Sequence, residues 1–142
     1  VLVVEDSPLC AKVLAKMLAR AGCTSEIACD GRRAVSALEN PNSFDLVLMD
    51  LRMPGMDGFE ATKIAKRRLR VTVPIVAVTA ESSFETREKC EDVGFDDFAP
   101  KPIKLQSLLR LLERHLASIA APATQQPPED DSWVQRPRRR SV

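Results

Sequence analysis

The most constraining feature of this chain is a rhythm of short apolar runs separated by helix-length segments. "VLVV" (1–4), "SEIAC" (25–29), "FDLVLM" (44–49), "PIVAVTA" (74–80) and "FDDFA" (95–99) are each bounded by turn-forming or charged residues. The first, third and fourth are nearly continuous in apolar character. That pattern marks strands covered on both faces, as in a parallel sheet. The segments between them carry helical spacing. The first, with Ser7 as N-cap, Pro8 at the first helical position and Gly22 as a stop, aligns Leu9, Val13, Leu14, Met17 and Leu18 on one stripe. A second helix is predicted over 32–39, a third over 59–70, and a fourth over 84–93 with Gly94 as its cap. A fifth over 105–116 turns Leu105, Leu108, Leu109, Leu112 and Leu116 inward. Strict βα alternation with such strands predicts an α/β, doubly wound, five-stranded parallel sheet of order 2-1-3-4-5, a flavodoxin-like (βα)5 unit with right-handed crossovers.

Length and composition agree with one folded unit plus a tail. The 142 residues suffice to bury a core, and 29% charged residues with a net charge of +1 leave no global field that would draw in nucleic acid or an acidic surface. No apolar run approaches a membrane span, and no signal peptide is visible. Cys10, Cys23, Cys29 and Cys90 have no CxxC spacing, and His115 is the one histidine. This excludes the usual zinc patterns and favours free thiols in a reducing compartment, with a cytoplasmic location expected. Residues 1–117 read as the domain. Residues 118–142, rich in Pro, Gln and charge, read as a disordered tail or linker, with "RPRRR" favoured as a solvated basic stretch over a localisation or nucleic-acid patch, and Trp133 as a lone aromatic that could anchor a partner. The basic run 63–70 reads as a solvated helix face. Met49, Met53 and Met56 read as core or loop filler, and His115 as an isolated cation suiting the end of the last helix. Val1 already lies inside an apolar run, which suggests a segment of a longer chain whose parent could be membrane-anchored.

The chemistry is expected at the carboxyl ends of the strands. There the sequence offers Glu5 and Asp6 after the first strand, Asp50 at the tip of the third, Thr79 at the tip of the fourth and Lys101 after the fifth. Three converging carboxylates repel one another and call for a cation, and an all-oxygen set suits Mg²⁺. A carboxylate can act as a nucleophile toward phosphorus, with an ammonium and a hydroxyl to hold the phosphoryl oxygens.

"VLVVEDS", "LVLMDLRMPGMDGFE", "PIVAVTA" and "APKPI", in this order and spacing, resemble the receiver domain of two-component response regulators. The resemblance implies that Asp50 is the phosphoacceptor. It implies Asp6 and Asp50 as direct Mg²⁺ ligands, with the Arg52 backbone carbonyl as a third and Glu5 acting through water. Thr79 and Lys101 would bind the phosphoryl group, Phe98 would be the switch aromatic, and Lys101–Pro102 would be a cis peptide bond. Phe98 lacks a phenol, so the switch is expected to work by burial alone. Arg52 and Glu81, two residues beyond Asp50 and Thr79, would tune hydrolysis, and their opposite charges are expected to pair and lengthen the life of the phosphoryl state.

The implied partners are a histidine kinase or histidine phosphotransfer protein as donor, and a downstream protein or domain on the helix 4–strand 5–helix 5 face. No DNA-binding effector domain is expected to follow. The receiver of a hybrid histidine kinase is the favoured context, beside a stand-alone regulator. The segment itself is expected not to be an enzyme beyond its own phosphorylation and dephosphorylation. Two other readings stand beside this one. One is a phosphorylation-independent interaction module of the same fold. The other is a Mg²⁺-dependent aspartyl-phosphate phosphatase, disfavoured because Arg52 stands where such enzymes place a second Asp.

Overall fold

Five strands and five helices alternate along the chain: β1 Leu2–Val4, α1 Pro8–Arg20, β2 Glu26–Ala28, α2 Gly31–Leu38, β3 Val47–Asp50, α3 Gly58–Arg67, β4 Ile75–Thr79, α4 Phe84–Val93, β5 Asp97–Pro100 and α5 Leu105–Ala120. This computed structural model describes residues 1–120, with side-chain surroundings through 116. The expected tail lies outside the described residues from 121 on, together with Trp133 and "RPRRR", while α5 continues three residues past the expected boundary at 117. The sheet order is β2-β1-β3-β4-β5, with every pairing parallel. No described helix is long and apolar enough to cross a membrane.

The three strands with continuous apolar sequence are the three in the middle. Every residue of β1, β3 and β4 is buried, whereas the edge strands β2 and β5 expose part of their length. Alternation along each central strand feeds two cores. Leu2, Val4, Val47, Met49, Ile75 and Ala77 meet α2, α3 and α4 on one face. Val3, Leu48, Val76 and Val78 meet Leu14 and Leu18 of α1 and Leu108, Leu111 and Leu112 of α5 on the other. Each fully buried Leu or Val contributes about 1.5–3 kcal/mol, so the sheet's centre is its most firmly held part.

Helix starts follow local chemistry. The side chains of Ser7, Asp30, Asp57 and Ser83 each accept a hydrogen bond from the backbone N–H three residues on. Asp30 as cap begins α2 at Gly31, one residue before the expected start. Gly94, in the left-handed region at φ 116°, ends α4.

The helix faces needed correction. Leu9 and Val13 are exposed, and α1 buries Ala11, Leu14 and Leu18 instead. At about 100° per residue, Leu9 and Val13 point roughly 100–140° away from Leu14, outside the arc that meets the sheet. In α5 the inward face is Leu108, Leu111, Leu112 and Leu116, while Leu105 and Leu109 are partly exposed at its margin. Helix α3 stops at Arg67 rather than 70. The N–H groups of Arg68 and Leu69 both donate to the Ile64 carbonyl, and Arg70 turns left-handed at φ 56° to lead into β4. Met49 and Met53 are core residues.

Candidate functional site: an acidic cluster with one lysine

Parallel pairing brings the carboxyl ends of β1, β3, β4 and β5 to one edge of the sheet. Glu5 and Asp6 follow β1, Asp50 ends β3, Thr79 ends β4 and Lys101 follows β5. Carboxylate oxygens of Glu5, Asp6 and Asp50 all lie within 4.8 Å of one another, the one such acidic group among the described residues. Glu5, Asp50 and Thr79 are buried, at 3%, 5% and 1% exposure, while Asp6 opens to solvent. Lys101 Nζ reaches into the cluster, 2.9 Å from Glu5 Oε1 and 3.3 Å from Asp50 Oδ2.

Backbone donors complete the frame. The Ser7 N–H donates to Glu5 Oε2 at 3.1 Å, and the Arg52 N–H donates to Asp50 Oδ1 at 3.3 Å. The Glu81 N–H donates to Thr79 Oγ1 at 3.1 Å, and the Lys101 N–H donates to the Thr79 carbonyl at 2.8 Å. The last bond ties Lys101 to the tip of β4, and the Lys101–Pro102 peptide is cis. Arg52 and Glu81 pair at 2.6 Å through side chains that are largely exposed.

One lysine beside three carboxylates leaves the cluster short of positive charge. Burial pushes the Asp50 carboxyl above the usual carboxylate range, and the nearby Glu5 pushes it further. Lys101 and the Arg52 N–H pull back without cancelling the rise. Burial works against the Lys101 ammonium, yet the hydrogen bond to Glu5 and the field of Asp50 hold it above its ordinary value. A hard divalent cation fits what is missing: oxygen donors converge, and the excess charge is negative.

The structure thus brings together Glu5, Asp6, Asp50, Thr79 and Lys101, with Arg52 and Glu81 beside them. Phe98 lies half-buried one strand away, its backbone paired with Ala77 of β4. Three further features escaped the sequence reading. Gly58 starts α3 so close to the end of β3 that a Cβ there would strike the Asp50 carbonyl, so glycine is what lets α3 begin beside the acidic strand tip. Its signal was the glycine of "GMDGFE". The Arg87 guanidinium stands 4.8 Å above the Phe98 ring centre. His115, expected as an isolated cation, instead contacts Asp97 at 2.9 Å beside an Arg114–Asp97 ion pair, and it sits well inside α5 rather than at its end. No local signal predicts the last two, because their partners lie far apart in sequence.

All four cysteines are free thiols, and burial raises the Cys90 thiol to about 11, which leaves it unreactive.

A family model described as the response regulator receiver domain matches residues 1–113. Hybrid signal transduction histidine kinase B of Dictyostelium discoideum is 37% identical over 129 residues, covering 82% of this chain and 6% of that protein. Sensor histidine kinase RcsC of Salmonella typhi is 38% identical over 112 residues, covering 79% of this chain and 12% of its own length. The chain therefore spans a small part of these relatives. Among solved structures, chemotaxis protein CheY4 of Vibrio cholerae superposes with a TM-score of 0.75 at 33% identity, covering 81% of this chain and 96% of the other. The receiver domain of a sensor histidine kinase of Pseudomonas aeruginosa, solved with magnesium in its active-site cleft, gives 0.72 at 37% identity, covering 82% and 95%. By sequence, by sheet order and by the acidic cluster at the strand ends, the chain belongs to the receiver-domain family of two-component response regulators.

Proposed function

We propose that this segment is the phosphoacceptor module of a phosphorelay, with Asp50 as the acceptor. The observation that carries the reading is the Lys101 ammonium between Glu5 and Asp50, in a cluster whose third carboxylate, Asp6, faces solvent. A carboxylate Oδ of Asp50 attacks phosphorus of a phosphohistidine. The new O–P bond forms as the P–N bond breaks, and its electron pair stays on the imidazole nitrogen, which then takes up a proton. Lys101 holds a phosphoryl oxygen by charge, and the Thr79 hydroxyl donates to another. Asp6, Asp50 and the Arg52 carbonyl are the proposed Mg²⁺ ligands, with Glu5 acting through water. Bound there, the ion supplies charge neutralisation for the carboxylates and the equatorial phosphoryl oxygens.

The acidic cluster lies at the open sheet edge. A cavity of about 210 Å³ lies elsewhere, lined by residues of the α2–β3 and α3–β4 connections, and includes none of the acidic residues. A site whose third carboxylate, Asp6, faces solvent suits a donor that is itself a protein surface, a histidine kinase or phosphotransfer protein. Phosphorylation would draw Thr79 toward the phosphoryl group and let Phe98 turn inward, reshaping the α4–β5–α5 face for a downstream partner. The hybrid kinases among the relatives support that setting for the parent chain; a cytoplasmic place for the segment, and a chemistry of its own limited to gaining and losing its phosphoryl group, belong to the proposal.

The test is incubation with acetyl phosphate, with and without Mg²⁺, read by intact mass. One phosphoryl adduct is expected with Mg²⁺ and none in Asp50→Ala. Absence of an adduct in a protein shown separately to bind Mg²⁺ overturns the reading in favour of a phosphorylation-independent module.

A further inference from the structure

Phe98 has no hydroxyl with which to hold an outward position. The side chain over its ring is Arg87, from the second turn of α4. The guanidinium carbon stands 4.8 Å from the ring centre, within the range of cation–π attraction. Arg87 has a competing option: Glu91, one turn further along the same exposed face. Yet among the described residues Arg87 forms no ion pair, and its charged end lies over the ring instead. Phe98 is half-buried, packed on its inner side against the core shared by α2, α3 and α4 and capped on its outer side by this cation. Its backbone neighbour in β4 is Ala77, a small side chain.

We propose that Arg87 is a positioning residue of the switch: it latches Phe98 in its half-exposed state, in the role a phenol hydrogen bond would otherwise fill. Inward movement of the ring separates it from an arginine that must remain in solvent. The stack therefore stabilises the unphosphorylated arrangement alone, and a contact made in one state biases the equilibrium between two. At a solvent-exposed site the expected bias is about two- to fivefold in population. This rests on the proposed switch role of Phe98.

The experiment is NMR on the whole 142-residue chain, titrated with beryllofluoride, a phosphoryl mimic, in the presence of Mg²⁺. Wild type, Arg87→Gln and Arg87→Lys are compared through the ring signals of Phe98 and the amides of Ala99 and Thr79. Before titration, Arg87→Gln is expected to displace these signals toward their loaded positions, and to tighten apparent beryllofluoride affinity about two- to fivefold. Arg87→Lys, which keeps a cation but not the planar stack, is expected to lie between the two. If wild-type Phe98 moves on loading but Arg87→Gln changes neither free-state signals nor affinity, the latch is overturned while the switch survives. A fall in thermal stability alone counts as that same negative. If wild-type Phe98 does not move on loading, the switch reading fails and the latch fails with it.

Discussion

Asp50 and Asp97 are both aspartates at strand ends, both largely withdrawn from solvent, and their carboxyls are driven in opposite directions. Asp50 ends β3 at the carboxyl edge of the sheet; Asp97 begins β5 at the other edge. Burial raises both. At Asp50 the neighbouring Glu5 adds to the rise, and Lys101, shared between the two carboxylates, does not cancel it. At Asp97 a hydrogen bond from His115, another from the Phe98 N–H and a third from Arg114 outweigh burial and hold the carboxyl below its usual range. One site has more anions than cations, and the other has an arginine and two further hydrogen-bond partners for one anion. The satisfied site fastens β5 to α5. The unsatisfied one stores unfavourable negative charge that a divalent cation can relieve.

Removing each carboxyl is the strongest way to break that contrast. Asp50→Asn is expected to abolish the phosphoryl adduct altogether, yet to make the Mg²⁺-free protein more stable by about 1–2 kcal/mol, since it deletes a buried charge without a full complement of partners. Asp97→Asn is expected to leave adduct formation in place and to cost about 1–2 kcal/mol, because Arg114 and His115 lose their anion. Urea midpoints at neutral pH check both signs. Equal signs would show that burial, not pairing, governs the two sites.

Acid sharpens the comparison. A carboxyl whose folded pKa is lowered contributes stability that is present above its unfolded value, near 3.8, and is lost as pH falls through the folded value. Asp97 therefore contributes down to about pH 4 and loses its contribution below that. Asp50, raised in the folded protein, behaves in the opposite way: its ionisation weakens the fold as pH rises through the folded value, and protonation removes the penalty. The stability advantage of Asp50→Asn should thus shrink on acidification, and the deficit of Asp97→Asn should shrink only below about pH 4. Urea midpoints measured across this range test the prediction.

The smallest expected effect is at the rim. The Arg52–Glu81 pair is exposed, so it contributes little to stability, but it stands beside Asp50 and Thr79 where water would approach a phosphoryl group. Arg52→Ala is expected to speed loss of the phosphoryl group by a few-fold. Unchanged or slower loss, measured by following the adduct mass with time, would remove the shielding role.

Legibility followed the range of the interactions. The central strands were readable because continuous apolar runs have few other places to go. The start of α1 was readable because Ser7 acts on an N–H group three residues away; Asp57 and Ser83 do the same for α3 and α4, though only the structure showed them as caps. The acidic residues were readable because a parallel sheet with right-handed crossovers puts every strand's carboxyl end on one edge. The sides of α1 and α5 that face the sheet were not. Leu9 and Leu14 are equally apolar, and only the packed position of the helix decides which one is buried.

The order of strands, the caps and the five residues gathered at the sheet edge were thus determined by the sequence, through local chemistry and the handedness of βαβ units. Tertiary structure decided what depends on distance between remote segments. It set Lys101 between Glu5 and Asp50, gave Asp97 its partners on α5, and laid Arg87 over Phe98 rather than beside Glu91. Charges and rings act through space over a few ångströms, and which of them come that close is settled only when the helices have packed against the sheet.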